Sequence, residues 1–172
     1  MTTDGAPQTP LRLFNRLSGA EAAELLRPCL DVDRWVAAVS DARPYDSVKS
    51  LLETAREAAP GLSGAEVESA LAHHPRIGQR ATGTSREAKL SRSEQADLQV
   101  SDEIRRRLHA GNETYESHFG KVFLIRAAGR SSAEILAELE SRLGNDRDTE
   151  DQVVAEQLRE IALLRLTRAV SP

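Results

Sequence analysis

The sequence predicts an all-α fold, a single compact bundle of about seven to nine helices with one short extended segment. Three observations predict it. Apolar residues recur at steps of three and four along most of the chain. The helix-start signature Ser-x-x-Glu occurs at Ser18/Glu21, Ser63/Glu66, Ser91/Glu94 and Ser131/Glu134. The only β-leaning run, Lys121 to Ala127, has nothing to pair with.

Along the chain, residues 1–9 read as a flexible tail and 10–172 as one all-helical domain. Glu21 opens the apolar set Ala22, Ala23, Leu25 and Leu26. A helix over roughly 32–41 carries Trp35, Val36 and Val39 and stops near Arg43-Pro44. The next, roughly 46–58, carries Val48, Leu51 and Leu52 and ends before Pro60-Gly61. Glu66 opens Val67, Ala70 and Leu71, giving a helix over 64–72. Ile104, Leu108 and Tyr115 mark roughly 101–118. Glu134 opens Ile135, Leu136, Leu139 and Leu143, with Gly144 as the stop. Val154, Leu158 and Ile161 mark a last helix over roughly 148–168.

Composition narrows the function. The 172 residues are 40% hydrophobic and 29% charged, an ordinary globular mix, with a net charge of −4. An acidic balance argues against a nucleic-acid binder, and 3% aromatics against a base-stacking platform. One cysteine, Cys29, permits no intrachain disulfide. No apolar run spans a membrane and the N-terminus lacks a secretory pattern, so the expected location is cytoplasmic. Metal-site spacings and phosphate-binding glycine loops are absent.

Four places could carry chemistry. His74 precedes Pro75, which turns it out of the helical conformation, so its imidazole either enters a cleft or bonds a helix end. Ser91, Glu94 and Gln95 share a helix face, presenting hydroxyl, carboxylate and carboxamide to a polar ring, or else forming a plain capping box. The segment around Leu124, Ile125 and Arg126 offers backbone amide edges to a ligand, or is a buried connector. Arg165 extends the Val154–Leu158–Ile161 stripe, so it either binds an anion from a buried position or snorkels to the surface. The run Arg105-Arg106-Arg107 reads as a solvated face.

In their order and spacing, these pieces resemble the 2-oxo-4-hydroxy-4-carboxy-5-ureidoimidazoline (OHCU) decarboxylases of urate breakdown, over roughly residues 10–168. The matching residues are Trp35 with Ala42-Arg43-Pro44-Tyr45, His74-Pro75-Arg76-Ile77-Gly78, Ser91-x-x-Glu94-Gln95 and Asn112-x-x-Tyr115-x-x-x-Phe119-Gly120. Phe123-Leu124-Ile125, Gly129-Arg130-Ser131, Glu134-Ile135-Leu136 and Asn145-Asp146-Arg147 follow. The resemblance implies a cofactor-independent, homodimeric helical enzyme that decarboxylates an anionic ureidoimidazoline to S-allantoin. It implies His74 and Glu94 as catalytic residues. Pro75, Ser91, Gln95, the backbone of Leu124, Ile125 and Arg126, and Arg165 are implied as substrate contacts. Arg126 departs from the small or thiol residue expected there, and would change the substrate if it entered the site. The rival readings are a decarboxylase or lyase of a different ureido or imidazolone acid, a non-catalytic helical binding module and, more distantly, a helix-turn-helix protein.

Overall fold

The computed structural model describes residues 10–78, 84–96 and 100–172. Among these residues there are nine helices and no strand. They divide into two compact units: one ends at Pro60 and resumes at Ala162, the other runs from Gly61 to Ile161.

The first unit contains α1 (Pro10–Arg16), α2 (Gly19–Leu26), α3 (Asp33–Asp41), α4 (Val48–Ala58) and the last turns of α9 (Arg147–Val170). Phe14, Leu26, Trp35, Val39, Leu51 and Leu166 are buried in it. Side chains join the helices where the backbone cannot. Trp35 Nε1 donates to the Ala55 carbonyl at 2.9 Å, linking α3 to α4. Arg43 Nη1 donates to Phe14 O and Leu17 O at 2.9 and 2.7 Å, tying the loop after α3 to the end of α1. Asn15 and the backbone of Tyr45 exchange two hydrogen bonds of 2.9 Å. The Ala42-Arg43-Pro44-Tyr45 run is therefore a fastener between α1 and the end of α3, with a cis Arg43–Pro44 peptide.

The second unit contains α5 (Gly64–Leu71), α6 (Arg86–Glu94), α7 (Asp102–Phe119), α8 (Ser132–Arg142) and most of α9. Its apolar cluster includes Ile77, Leu108, Tyr115, Phe123, Ile135 and Leu139. At Gly111 a Cβ would lie 2.6 Å from Leu139 Cδ2, so glycine permits the close α7–α8 approach. Gly120, at φ +71°, ends α7 in the left-handed conformation that a non-glycine residue adopts at a cost. From 122 to 127 the chain then runs without helix, turn or bend, as the extended segment predicted.

The capping boxes at Ser18, Ser63 and Ser131 form as read, each serine hydroxyl accepting from the backbone N–H three residues on. The one at Ser91 does not. Helix α6 begins earlier, with Ser85 accepting from Ala88 N, and Ser91 lies inside the helix and is buried. Arg105, Arg106 and Arg107 are exposed, as expected.

Candidate active site

The second unit holds a cavity lined by His74, Pro75, Ile77, Ser91, Glu94, Gln95, Phe123, Leu124, Ile125, Ala127 and Ile161. Four chain segments meet there: α9 supplies Ile161, and each of the other three is placed by an identifiable device.

The first is the loop 74–78. Helix α5 ends at Leu71 and His74 N still bonds Leu71 O at 2.9 Å, so the chain leaves the helix at the residue before Pro75. Two residues one turn apart on α7 then grip the loop. Asn112 Nδ2 donates to Ile77 O at 3.1 Å from a buried position, and Glu116 takes a two-pronged bond from Arg76 at 2.6 and 2.5 Å. Gln95 Oε1 accepts from Gly78 N at 3.1 Å. Gly78 has φ +82°, which suits glycine and lets the loop turn back under Gln95.

The second is the end of α6. Ser91, Glu94 and Gln95 occupy one face at i, i+3 and i+4, and all three reach the cavity. Ser91 is therefore a cavity-lining residue inside the helix and not its cap.

The third is the ribbon 122–127. The Leu124 carbonyl accepts from Arg142 Nη1 at 2.8 Å, and the Arg126 N–H donates to Gln157 Oε1 at 2.9 Å. In extended backbone, alternate residues turn their N–H and C=O to opposite edges. Residues 124 and 126 thus spend one edge on the protein. Ile125 turns to the other, and no described residue hydrogen-bonds either of its backbone groups. A buried amide pair left open beside a cavity is a docking edge for a ligand rich in amides.

Behind the ribbon lies a buried charge cluster. Arg142 and Glu150 are 3% and 0% exposed, joined by Nε and Nη2 bonds of 2.9 and 2.5 Å to Glu150 Oε1. Tyr115 Oη also donates to Glu150, and Asn145 Nδ2 donates to it at 2.9 Å. Burial first, then the bond to Glu150, pushes the Tyr115 phenol far above its ordinary range, so it stays protonated. The guanidinium of Arg142 lies over the Phe123 ring at 4.5 Å. Neither Arg142 nor Glu150 was singled out in the sequence. The signal was available: Glu150 sits four residues before Val154 on the stripe that pointed to Arg165, and Arg142 follows Ile135 and Leu139 on one face.

Two further candidates, Arg126 and Arg165, are not among the lining residues. Arg126 does not line the cavity; its Nε faces Glu160 Oε2 at 3.6 Å. Arg165 belongs to the first unit, where its side chain is buried and Nη1 donates to Pro28 O at 2.8 Å. Its stripe faces inward, as Val154, Leu158 and Ile161 are buried too. Cys29 is buried in that unit as well. Among the described residues no group of three His, Cys, Asp or Glu is placed to hold a metal ion, and no helix is long and apolar enough to cross a membrane.

The sequence matches the OHCU decarboxylase family over residues 15–167. The chain belongs to that family. Members bearing its name are carboxy-lyases of urate degradation. The 2-oxo-4-hydroxy-4-carboxy-5-ureidoimidazoline decarboxylase of Haloferax volcanii is 29% identical over 165 residues, covering 94% of this chain and 96% of that one. The protein of the same name from Amia calva is 32% identical over 162 residues, 91% of each chain. A uric acid degradation bifunctional protein of Bacillus sp. is 28% identical over 160 residues, and there the chain spans 31% of the longer protein. Two solved structures share the fold. An OHCU decarboxylase crystallised in the presence of (S)-allantoin superposes with a TM-score of 0.68 at 24% identity, covering 84% of this chain and 96% of the other. An (S)-allantoin synthase gives 0.69 at 19%, over 93% of this chain and 54% of that one.

Proposed function

We propose that this family member decarboxylates 2-oxo-4-hydroxy-4-carboxy-5-ureidoimidazoline to S-allantoin in the cavity of the second unit, as a cytoplasmic homodimer acting on the anionic substrate. The observation that carries this reading is the convergence of His74, Ser91, Glu94, Gln95 and Ile125 on one cavity. A binding module has no need of an imidazole, a carboxylate and unspent amides in the same space.

The chemistry follows from what the substrate offers. When its C–CO2 bond breaks, the electron pair passes into the conjugated ring, and CO2 leaves. Donors already in place lower the barrier most, because they need not reorganise as charge develops. The Ile125 N–H and the carboxamide nitrogen of Gln95 are suited to that, since Gln95 spends its oxygen on Gly78. The carbanion then takes a proton at carbon, and His74 is the group whose ordinary pKa suits the transfer near neutrality. Glu94 and Ser91 hold the hydroxyl and ureido groups so that one face of the ring meets His74. For Arg165 the support is the family resemblance and its burial. Arg126, turned toward Glu160, gives no support to a different substrate.

The cavity is narrow, with about 20 Å³ of space, enough for roughly one water.

The test generates the ureidoimidazoline in place from urate with the two preceding activities and follows the ellipticity of allantoin. The reading expects rapid formation of one enantiomer, and a loss of roughly 10²–10⁴-fold in folded His74→Ala. Decay no faster than the spontaneous reaction would refute it.

A further inference from the structure

Two side-chain bonds hold the ribbon 122–127, and both come from residues that do not line the cavity. Arg142, on α8, holds the Leu124 carbonyl, and Gln157, on α9, holds the Arg126 N–H. They grip the same edge, two residues apart, and straddle Ile125. Fixing that edge fixes the direction of the opposite one, because N–H and C=O of successive residues alternate along an extended chain. The two grips differ in strength. Arg142 is buried, charged and locked by Glu150, which Tyr115 and Asn145 hold in turn. Gln157 is a neutral, half-buried acceptor.

We propose that Arg142 and Gln157 are positioning residues for the reaction: they pin the inner edge of the ribbon and so aim the backbone N–H and C=O of Ile125 at the substrate. This rests on the cavity being the substrate site. The geometry sets each residue a distinct task. Without Gln157 the Arg126 end of the ribbon can rotate, carrying the Ile125 C=O with it, while Leu124 stays anchored. Misplacement of a binding group by about 1 Å is enough to cost on the order of 100-fold in rate.

The decisive variants are Gln157→Met, which keeps length and bulk but accepts no hydrogen bond from Arg126, and Gln157→Glu, which still accepts one. The positioning role expects kcat/KM to fall about tenfold in Gln157→Met, mostly through KM, and to stay within about threefold of the parent in Gln157→Glu. Both should melt close to the parent. Arg142→Lys, where it folds, should lose more than Gln157→Met, because one ammonium cannot reach Glu150 and Leu124 together. A second readout is independent of turnover: the Ile125 amide NMR resonance, followed as (S)-allantoin is added. It should shift in the parent and in Gln157→Glu, and shift less in Gln157→Met at equal allantoin. Parent-like kcat/KM and a parent-like Ile125 shift in Gln157→Met would overturn the proposal even if the enzyme is fully active. If the parent does not accelerate decarboxylation, the functional reading fails, and the Ile125 shift alone then decides for or against the pinning.

Discussion

Replacing Arg142 by methionine tests how far the second unit depends on its buried charge pair. The guanidinium donates three bonds, two to Glu150 and one to Leu124 O. Methionine fills similar space but donates none. Glu150 would stay buried with only Tyr115 and Asn145 as donors. Removing one partner from a buried ion pair costs about 3–5 kcal/mol, because the other charge is left without compensation. The loss of the Leu124 bond keeps the figure toward the upper end. Against a typical total stability of about 5–15 kcal/mol this is a large fraction. At roughly 2–4 °C per kcal/mol for a chain of this size, the melting temperature should fall by about 6–20 °C. The double variant Arg142→Met/Glu150→Gln removes both charges and leaves an acceptor for Tyr115, so it should recover about 1–3 kcal/mol of the loss. Urea unfolding followed by far-UV ellipticity measures both. The reasoning fails if Arg142→Met costs less than about 1 kcal/mol, or if the double variant is no more stable than the single.

Further outcomes follow from other contacts. Gly111→Val places a branched side chain where even a Cβ would meet Leu139 at 2.6 Å; a loss of about 1–3 kcal/mol in urea unfolding is expected, and none would mean that α8 yields freely. Asn112→Leu removes the donor to Ile77 O and should raise KM several-fold while leaving kcat nearly intact, since it loosens the loop that carries His74; steady-state kinetics of the decarboxylation checks this. Alkaline titration probes Tyr115. Its folded pKa is raised, so above the unfolded value near 10 the unfolded state binds fewer protons. Stability from this group is full below about pH 10 and is lost as pH rises beyond it, and Tyr115→Phe should flatten that fall. Tyr45, raised by burial, adds a slope in the same direction that persists in the variant.

The helices and most of the cavity were legible in the sequence because both are written in local spacing. Ser18, Ser63 and Ser131 cap where their glutamates predicted, since a capping box involves only four consecutive residues. The same pattern misleads at Ser91. A serine and a glutamate three apart share a face inside a helix as well as at its start, and the true cap, Ser85, opens a turn with little apolar marking. His74, Glu94 and Gln95 could be named because Pro75 and the i, i+3, i+4 spacing constrain them directly. That they meet at one cavity depends on α7 holding residues 74–78, which no local pattern encodes. The direction of Arg126 was likewise hidden, as Glu160 lies in another helix. Arg142 and Glu150 were missed for a different reason. Charged residues on a helix are usually solvated, and only their place on an apolar stripe marks them as buried.

The scarcity of aromatic residues gives the chain a selective optical probe. Its single tryptophan, Trp35, is fully buried and bonded to Ala55 O between α3 and α4, both in the first unit. Indole emission therefore follows the opening of that packing, whereas ellipticity sums over the helices of both units. Recorded in one denaturant titration, coincident curves identify a single cooperative block, and separate midpoints identify two. In the second case Arg142→Met displaces the ellipticity transition and leaves the emission curve where it stood. One indole thus distinguishes damage around the cavity of the second unit from damage to the helices that carry the probe.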